Sequence, residues 1–319
     1  MKSLISKCSL VGVSIFVVGS LLAGCGSKDA DKTEEVKKED KQVIKNVWED
    51  ATIEGTPKRI ATLDFSFSDE LSALGISPVA VAGVGTTEVP SYLEDKVKDY
   101  VYVGDRSEPN LELIRSAKPD LIIANPDRHK LLQKDLPQIA PTIALDDNTY
   151  EEVLQNVHLL GDITRKQAEA EKAEKELKDR IESIKGKIQN NPTVLVSGSF
   201  EDDFHVWVKQ SFVGSLLTAV GFTYPLNDSD IETKVRTGKV ETGNLGVEAV
   251  AEINPDYIFD FGDEVNQQKW ASNPIFKNLK AVKEGHYVSV DRNIWSRGRG
   301  VQAAHEILDQ IEKVVDEKQ

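Results

Sequence analysis

One long, highly charged segment, Thr164 to Gln189, divides this sequence into two halves. Helix-forming residues follow one another up to Gly186, and Asn191-Pro192 ends the run. Thr164 and Gln167 have the spacing of a capping box, which predicts the start of a helix. Its apolar residues recur every three or four positions and predict one narrow buried stripe: Ala170, Ala173, Leu177, Ile181, Ile184 and Ile188. Such a helix commonly bridges two domains, although a coiled-coil arm or a surface helix of one domain would show the same pattern.

The chain of 319 residues is long enough for two domains, and short apolar segments alternate with helical ones on both sides of this helix. In the first half the predicted strands are 60–64, 79–82, 101–103, 121–124 and 142–145, with helices at 67–75 and 111–117. In the second half 194–197 and 287–290 are strands, and 301–315 is an amphipathic helix. Strands of about four apolar residues between helices are typical of a parallel α/β sheet.

A repeated phrase supports two similar lobes. The helix that carries Glu112 is followed by Pro119-Asp120 and a strand, and the helix that carries Glu248 is followed by Pro255-Asp256 and a strand at the same distance. We therefore predict a first lobe at 56–163, a linker helix at 164–189 and a second lobe at 190–319. A cleft between the lobes, at the ends of the strands, is where such folds usually bind ligands.

Residues 1–24 have the features of a targeting segment, because Lys2 and Lys7 precede a short apolar region. The segment ends in Leu-Leu-Ala-Gly-Cys, which resembles a bacterial lipobox and predicts that Cys25 carries a lipid; an ordinary secretion signal beside a chance cysteine is the alternative. Residues 25–55 are interpreted as a disordered tether and lead-in. The protein is then expected on the extracellular face of the cytoplasmic membrane. Apart from Cys8 and Cys25 there is no cysteine, so no disulfide or thiolate site is expected in the body.

Several classes of protein fit this sequence poorly. A net charge of −14 argues against nucleic acid as a partner. No G-x-G-x-x-G follows the first strand, and there is no Walker A motif and no G-x-S-x-G elbow, so an enzyme is not favoured. A direct carrier of a divalent metal ion remains an alternative, but it would need three or four converging ligands, and the histidines are scattered: His129, His158, His205, His286 and His305.

Arginines, in contrast, gather directly after predicted strands. Arg106 and Arg128 do so in the first half, and Arg292, Arg297 and Arg299 follow a late strand in the second half. A guanidinium group binds a planar carboxylate through two hydrogen bonds at once, which lysine cannot do. The set therefore favours a ligand rich in carboxylates, with Trp295 beside it and Gly298 and Gly300 allowing close approach of the backbone. Solvated loop charges, or partners for Asp105, Asp127 and Asp291, are the alternative interpretation.

Three stretches, TPKRIATLDFSFSDELSALGISPVAVAG, VGDRSEPNLELIRSAKPDLIIANP and NPIFKNLKAVKEGHYVSVD, resemble the iron-siderophore substrate-binding lipoproteins of Gram-positive ABC importers. The resemblance spans residues 56 to 315. It implies two Rossmann-like lobes joined by one long α-helix, the class III periplasmic-binding-protein arrangement. It also implies a monomeric carrier of a ferric chelate, with no catalytic activity, no cofactor and no directly bound metal. Its partner would be an ABC permease pair with its ATPase.

The same resemblance gives roles to individual residues. Glu112 and Glu248, one on each lobe, would dock with arginines of the permease, although a carboxylate near a helix N-terminus is also favoured by the helix dipole alone. The arginines resemble the pocket of family members that bind the citrate-based siderophore staphyloferrin A, in which a histidine, here His205, also faces the ligand. His205 as an ordinary surface histidine is equally compatible with the sequence.

One arginine of that pocket has no counterpart at Thr86-Thr87-Glu88, which favours ferric citrate or another carboxylate siderophore over staphyloferrin A itself. Hydroxamate and catecholate siderophores, and cobalamin, remain alternatives. Further candidates for the cleft are Trp207, Tyr224, Arg236 and Tyr287.

Overall fold

The computed structural model of this protein describes residues 41–200, 203–227 and 242–316. The predicted signal peptide, Cys25 and Arg236 lie outside these residues. Within them, none of the helices combines the length and the apolar character that a membrane span requires.

The described chain begins with a hairpin, where the sequence predicts a disordered lead-in. Strands β1 (Lys41–Ile44) and β2 (Ala51–Glu54) pair antiparallel. Ala51 and Ile53 alternate with exposed residues and are buried in the hydrophobic core. This hairpin is therefore stabilised by packing against the rest of the protein. A short, mostly polar sequence gives no local indication of such packing.

The first lobe is built on a parallel sheet, as predicted. Its strands are β3 (Ile60–Thr62), β4 (Ala80–Gly83), β5 (Val101–Asp105), β6 (Leu121–Ala124) and β7 (Thr142–Ala144), in the order β5-β4-β3-β6-β7. Helices α1 (Phe65–Ala73), α2 (Leu111–Ser116) and α3 (Tyr150–Thr164) connect or follow these strands. The strand order reverses between β3 and β6, which is the position where open α/β sheets place their ligands.

The linker helix α4 runs from Gln167 to Lys185, a shorter span than the predicted 164–189. The predicted capping box is wrong: Thr164 belongs to α3 and its hydroxyl donates to the carbonyl of Leu160, while Lys166 precedes α4 without a side-chain cap. Arg165 adopts a left-handed conformation with φ of 59°, which ends α3 and separates the two helices. The apolar stripe is confirmed, and its buried members are Ala170, Ala173, Leu177, Ile181 and Ile184.

The second sheet contains β8 (Val194–Phe200), β9 (Asp203–Trp207), β10 (Thr242–Leu245), β11 (Tyr257–Asp260) and β12 (Tyr287–Ser289), in the order β10-β9-β8-β11-β12. Strand β9 pairs antiparallel with both neighbours, whereas β8, β11 and β12 are parallel. The prediction of a parallel sheet thus fails for β9, because β8 turns directly into it without a crossover helix. His205 lies on β9, inside the sheet and not on an edge strand.

The remaining helices are α5 (Phe212–Ala219), α6 (Val247–Ile253), α7 (Glu264–Ser272), α8 (Lys280–Lys283), α9 (Arg292–Trp295) and α10 (Val301–Asp316). Helix α10, which the sequence assigned to the second lobe, packs against α1, α3 and α4. Its apolar face is fully used in this contact, with Ala304, Ile307 and Ile311 inaccessible to solvent. The chain therefore returns to the first lobe at its end, and the segment just before α10 connects the two sheets.

The repeated phrase of the sequence has the same structure in both lobes. The Asp120 carboxylate accepts hydrogen bonds from the backbone N–H groups of Lys58 and Arg59, each at 2.8 Å, and β6 pairs with β3. Asp256 accepts from the N–H of Thr193 at 2.6 Å and from its hydroxyl at 2.8 Å, and β11 pairs with β8. Each aspartate thus fixes the start of the neighbouring strand, which explains why the phrase recurs.

Candidate functional site: arginines at the strand ends

A buried carboxylate joins the two arginines of the first lobe. Asp64 follows β3, Arg106 follows β5 and Arg128 follows β6, so all three lie at the same edge of the sheet. Arg106 Nη1 lies 2.9 Å from Asp64 Oδ1, and Arg128 Nη1 forms an ion pair with Asp64 Oδ2. Burial alone would raise the pKa of the Asp64 carboxyl, but the charges of Arg106 and Arg128 outweigh burial and hold the pKa well below its usual range. Asp64 is therefore ionised at any physiological pH.

The loop after β6 is held by the side chains of Asn125 and His129. The Asn125 side-chain oxygen accepts from the N–H groups of Asp127 and Arg128, at 3.1 and 3.0 Å. His129 Nδ1 accepts from the N–H of Asn125 at 2.9 Å, and its Nε2 lies 2.8 Å from the carbonyl oxygen of Arg106 and donates to it. Burial lowers the pKa of His129, which keeps this tautomer neutral. His129 thus ties the two arginine loops together, a role that the sequence interpretation missed.

Arg299 reaches the same region from the segment before α10. Its guanidinium group lies 3.5 Å from Asp147 Oδ1, and Asn125 donates to the same oxygen at 3.1 Å. Asp147 follows β7 of the first sheet and is buried, as is Arg299. A chain of polar contacts therefore joins Arg299 to the Arg128 loop.

Glycines allow this segment to pack tightly. A Cβ atom at Gly300 would overlap the carboxyl group of Asp69, and one at Gly298 would lie 2.8 Å from two carbonyl oxygens and 2.9 Å from the Tyr92 hydroxyl. Asp69, on α1, accepts from the N–H groups of Gln302 and Ala303 at 2.8 and 2.9 Å and so caps α10. The two glycines thus let the backbone of this segment lie close to Asp69 and Tyr92.

The remaining two arginines lie on α9 and just after it. Arg297 is half-buried, and its Nη1 donates to the Asn293 side chain at 2.9 Å. Burial lowers the pKa of Arg297, and the positive charges of Arg292 and Arg106 lower it further. Arg292 is exposed and lies 5.0 Å above the ring of Phe200. We call the five residues Arg106, Arg128, Arg292, Arg297 and Arg299 the arginine cluster.

The comparison with known proteins agrees with this architecture. The periplasmic binding protein family matches residues 60–293, which is most of the chain. The chain belongs to the periplasmic binding protein family. It is 32% identical over 314 residues to the Fe(3+)-citrate-binding protein YfmC of Bacillus subtilis, with 96% of each chain covered. It is 29% identical over 268 residues to the Fe(3+) dicitrate-binding periplasmic protein FecB of Escherichia coli, covering 82% of this chain and 86% of FecB.

Among solved structures, Staphylococcus aureus SirA complexed with staphyloferrin B superposes with a TM-score of 0.74 at 25% identity, covering 86% of this chain and 98% of SirA. The predicted class of fold, two α/β lobes in the class III arrangement, and the resemblance to siderophore-binding proteins are confirmed. Members of the family named in these comparisons are substrate-binding proteins.

Three aromatic residues predicted for the binding cleft are part of the core. Trp295 is inaccessible, stacks on Phe259 with ring centroids 4.4 Å apart, and donates its indole N–H to Gln310 at 2.9 Å. The Tyr224 hydroxyl accepts from the N–H of Val196 and donates to the carbonyl of Trp207, and both aromatic side chains are buried. We correct these predictions: packing buries all three side chains, and internal hydrogen bonds also occupy those of Trp295 and Tyr224, so they form part of the core.

His205 and Tyr287 retain accessible surface. His205 Nδ1 lies 2.9 Å from the Asn244 side-chain oxygen, and its ring stands edge-on to Trp207 at 5.0 Å. The half-buried Tyr287 donates its hydroxyl to Asp260 Oδ2 at 3.2 Å. Both remain candidates for contact with a ligand. In the described residues there is no group of three or more His, Cys, Asp or Glu side chains arranged to hold a metal ion.

Glu112 and Glu248 occupy equivalent positions in the two lobes. Both are exposed in the first turn of their helices, α2 and α6. Each helix leads from the end of one strand to the beginning of another strand that runs in the same direction in the same sheet, so both glutamates lie beyond the carboxyl ends of strands, as Arg106 and Arg292 do.

Proposed function

We propose that this protein is the extracellular, membrane-anchored substrate-binding subunit of an ABC importer, and that it captures an iron(III) chelate, ferric citrate or a citrate-based carboxylate siderophore. The observation that carries the proposal is geometric: Arg106 and Arg128 share the carboxylate of Asp64. Arg299 reaches the Arg128 loop through Asp147 and Asn125. The chain as a whole has a net charge of −14, so this local excess of guanidinium groups needs a specific reason.

The chemistry of the cluster fits carboxylate ligands. Guanidinium groups pair with carboxylates through two parallel hydrogen bonds, and in a partly buried site these bonds are stronger than in water. Arg106, Arg128 and Arg299 each lie beside an aspartate that limits their mutual repulsion. Arg292 on α9 and Arg297 just after it add further positive charge. Two relatives whose names state that they bind ferric citrate support the same ligand class.

Delivery of the chelate would depend on a membrane anchor and on contacts with the permease. Cys25 would carry the lipid anchor, and Glu112 and Glu248 would each contact one subunit of the permease, which works with its ATPase. Two exposed carboxylates at equivalent positions suit a partner with one basic contact per lobe. The protein would act as a monomer without catalysis or a resident cofactor, and the iron would reach it inside the chelate.

A fluorescence titration of the purified protein tests the ligand. Trp207 lies 5.0 Å from the ring of His205, so a coloured iron chelate nearby should quench its emission. We expect saturable quenching by ferric citrate and no saturable response to ferric hydroxamates, ferric catecholates or cobalamin. An Arg297→Gln variant should need more ferric citrate for the same response. Saturation only by a ferric hydroxamate or a ferric catecholate would show that the ligand is not a carboxylate chelate. A response only to free divalent metal would overturn the siderophore function.

A further inference from the structure

The ionised carboxylate of Asp64 lies between two arginines of the proposed anion-binding site, Arg106 and Arg128. We propose that Asp64 is a positioning residue, which holds the guanidinium groups of Arg106 and Arg128 in the arrangement that receives the carboxylates of the ligand. This inference rests on the proposed function, because it concerns the same site.

The geometry gives one carboxylate oxygen to each arginine. Oδ1 accepts from Arg106 and Oδ2 pairs with Arg128, so one side chain fixes the separation of two cations. Asp64 itself is immobile: it is 1% exposed, its backbone is extended, and its Oδ1 accepts from the N–H of Phe65 at 2.7 Å at the start of α1. Asp64 thus fixes the orientation of both arginines relative to β3 and α1, the strand and the helix that it joins.

The two arginines need such a partner. Their side chains are only 17% and 7% exposed, so water screens their mutual repulsion poorly. Without the shared carboxylate, the guanidinium groups of Arg106 and Arg128 would separate and sample several rotamers. Binding would then have to restore their order, which lowers affinity. An arginine has five N–H donors, so an ion pair with one carboxylate oxygen does not exhaust its capacity for a second anion.

Charge counting and positioning make opposite predictions for Asp64→Asn. This substitution keeps the shape of the side chain and its ability to cap α1, and it makes the site more positive by one charge. If only net charge mattered, anions would bind more tightly. If Asp64 positions the arginines, ferric citrate should bind more weakly, by about 10- to 100-fold, the usual effect of losing a hydrogen bond to a charged group.

The experiment is calorimetric titration of ferric citrate into the wild-type protein, Asp64→Asn and the control Asp256→Asn. Asp256 is also a carboxylate that accepts a backbone N–H group, that of Thr193, and pairs with a cation, Lys280, but it lies at the opposite ends of the strands. We expect weaker binding only for Asp64→Asn. Equal or tighter binding by this variant would overturn the positioning role and leave the proposed function intact. No binding by the wild-type protein would overturn both.

Two further measurements separate positioning from a general structural role. Asp64→Ala leaves room between the guanidinium groups, so millimolar formate should restore part of its affinity for ferric citrate and leave the wild-type affinity unchanged; a folded variant without this rescue would contradict the proposal. The ligand-free wild-type protein needs no variant: nitrogen-15 spectra of its arginine side chains should show ordered Nε–H groups for Arg106 and Arg128. Freely rotating side chains would overturn the inference.

Discussion

Gly300 lies where the arginine-bearing segment meets the first lobe, and replacing it with alanine tests that contact. The new Cβ would overlap the Asp69 carboxyl carbon and lie 2.5 Å from Oδ1. Asp69 is completely buried and cannot turn towards solvent. The substitution must therefore displace either Asp69 or the backbone between Arg299 and α10.

The expected cost follows from the contacts that are lost. Forcing one extra carbon into a packed interior usually costs about 1–3 kcal/mol. Moving Asp69 also weakens its hydrogen bonds to the N–H groups of Gln302 and Ala303, and hydrogen bonds to a charged group contribute about 1.5–3 kcal/mol each. Burial raises the pKa of Asp69 to about 7, so this carboxyl is partly neutral at pH 7 and the lower values apply. We expect Gly300→Ala to lower the free energy of unfolding by about 3 kcal/mol.

Urea denaturation followed by circular dichroism measures this difference. The control is Gly186→Ala, because Gly186 has helical φ and ψ of −62° and −21° and a Cβ there would meet no atom closer than 3.4 Å. Alanine at such a position should be neutral or stabilise by up to about 1 kcal/mol. Gly300→Ala should also weaken ferric citrate binding, since Arg299 is the adjacent residue. A loss of stability below about 1 kcal/mol would refute the tight contact from which the prediction is derived.

Three further predictions address the site and its surroundings. In calorimetry, Arg297→Gln and Arg299→Gln should each weaken ferric citrate binding about tenfold or more. Lysine at either position should recover only part of this loss, because it cannot form two parallel hydrogen bonds to one carboxylate. Full recovery by lysine would contradict recognition of the carboxylate by a planar guanidinium group. Glu112→Ala combined with Glu248→Ala should abolish iron uptake by cells but leave ferric citrate affinity unchanged in the purified protein, and loss of that affinity would show that the glutamates serve the ligand. Burial raises the pKa of Glu70 well above its usual value, so the folded protein keeps this proton to a higher pH than the unfolded chain does. The free energy of unfolding should then fall as the pH rises above about 4.3, the pKa of a glutamate in the unfolded chain. Glu70→Gln should reduce the fall that urea denaturation measures between pH 5 and pH 8. Equal falls in the wild-type protein and the variant would contradict this prediction.

Much of the fold follows from local patterns. The strand Leu121–Ala124 lies where the sequence predicts it, because four apolar residues stand between Pro119-Asp120 and a polar loop. The stripe on α4 is also local, since a helix presents residues three and four apart on one face. The antiparallel direction of β9 was not predicted, because a local pattern of apolar residues can indicate a strand but not the direction in which it runs in the sheet.

The candidate site divides in the same way. Residues that follow parallel strands of one sheet lie at the same edge of it, so the sequence alone predicts that Arg106 and Arg128 come together. Trp295, in the same segment, points instead into the core against Phe259, because a large apolar ring is more stable when buried.

By itself, the sequence determined two α/β lobes, a charged helix between them and the positions of the arginines along the chain, because periodicity, punctuation by proline and glycine, and residue type are local properties. Only the tertiary structure decided that α10 returns to the first lobe, that Asp64 lies between Arg106 and Arg128, and that Asp147 meets Arg299. These contacts join residues far apart in the chain, and the burial and charge that stabilise them exist only once the lobes have packed.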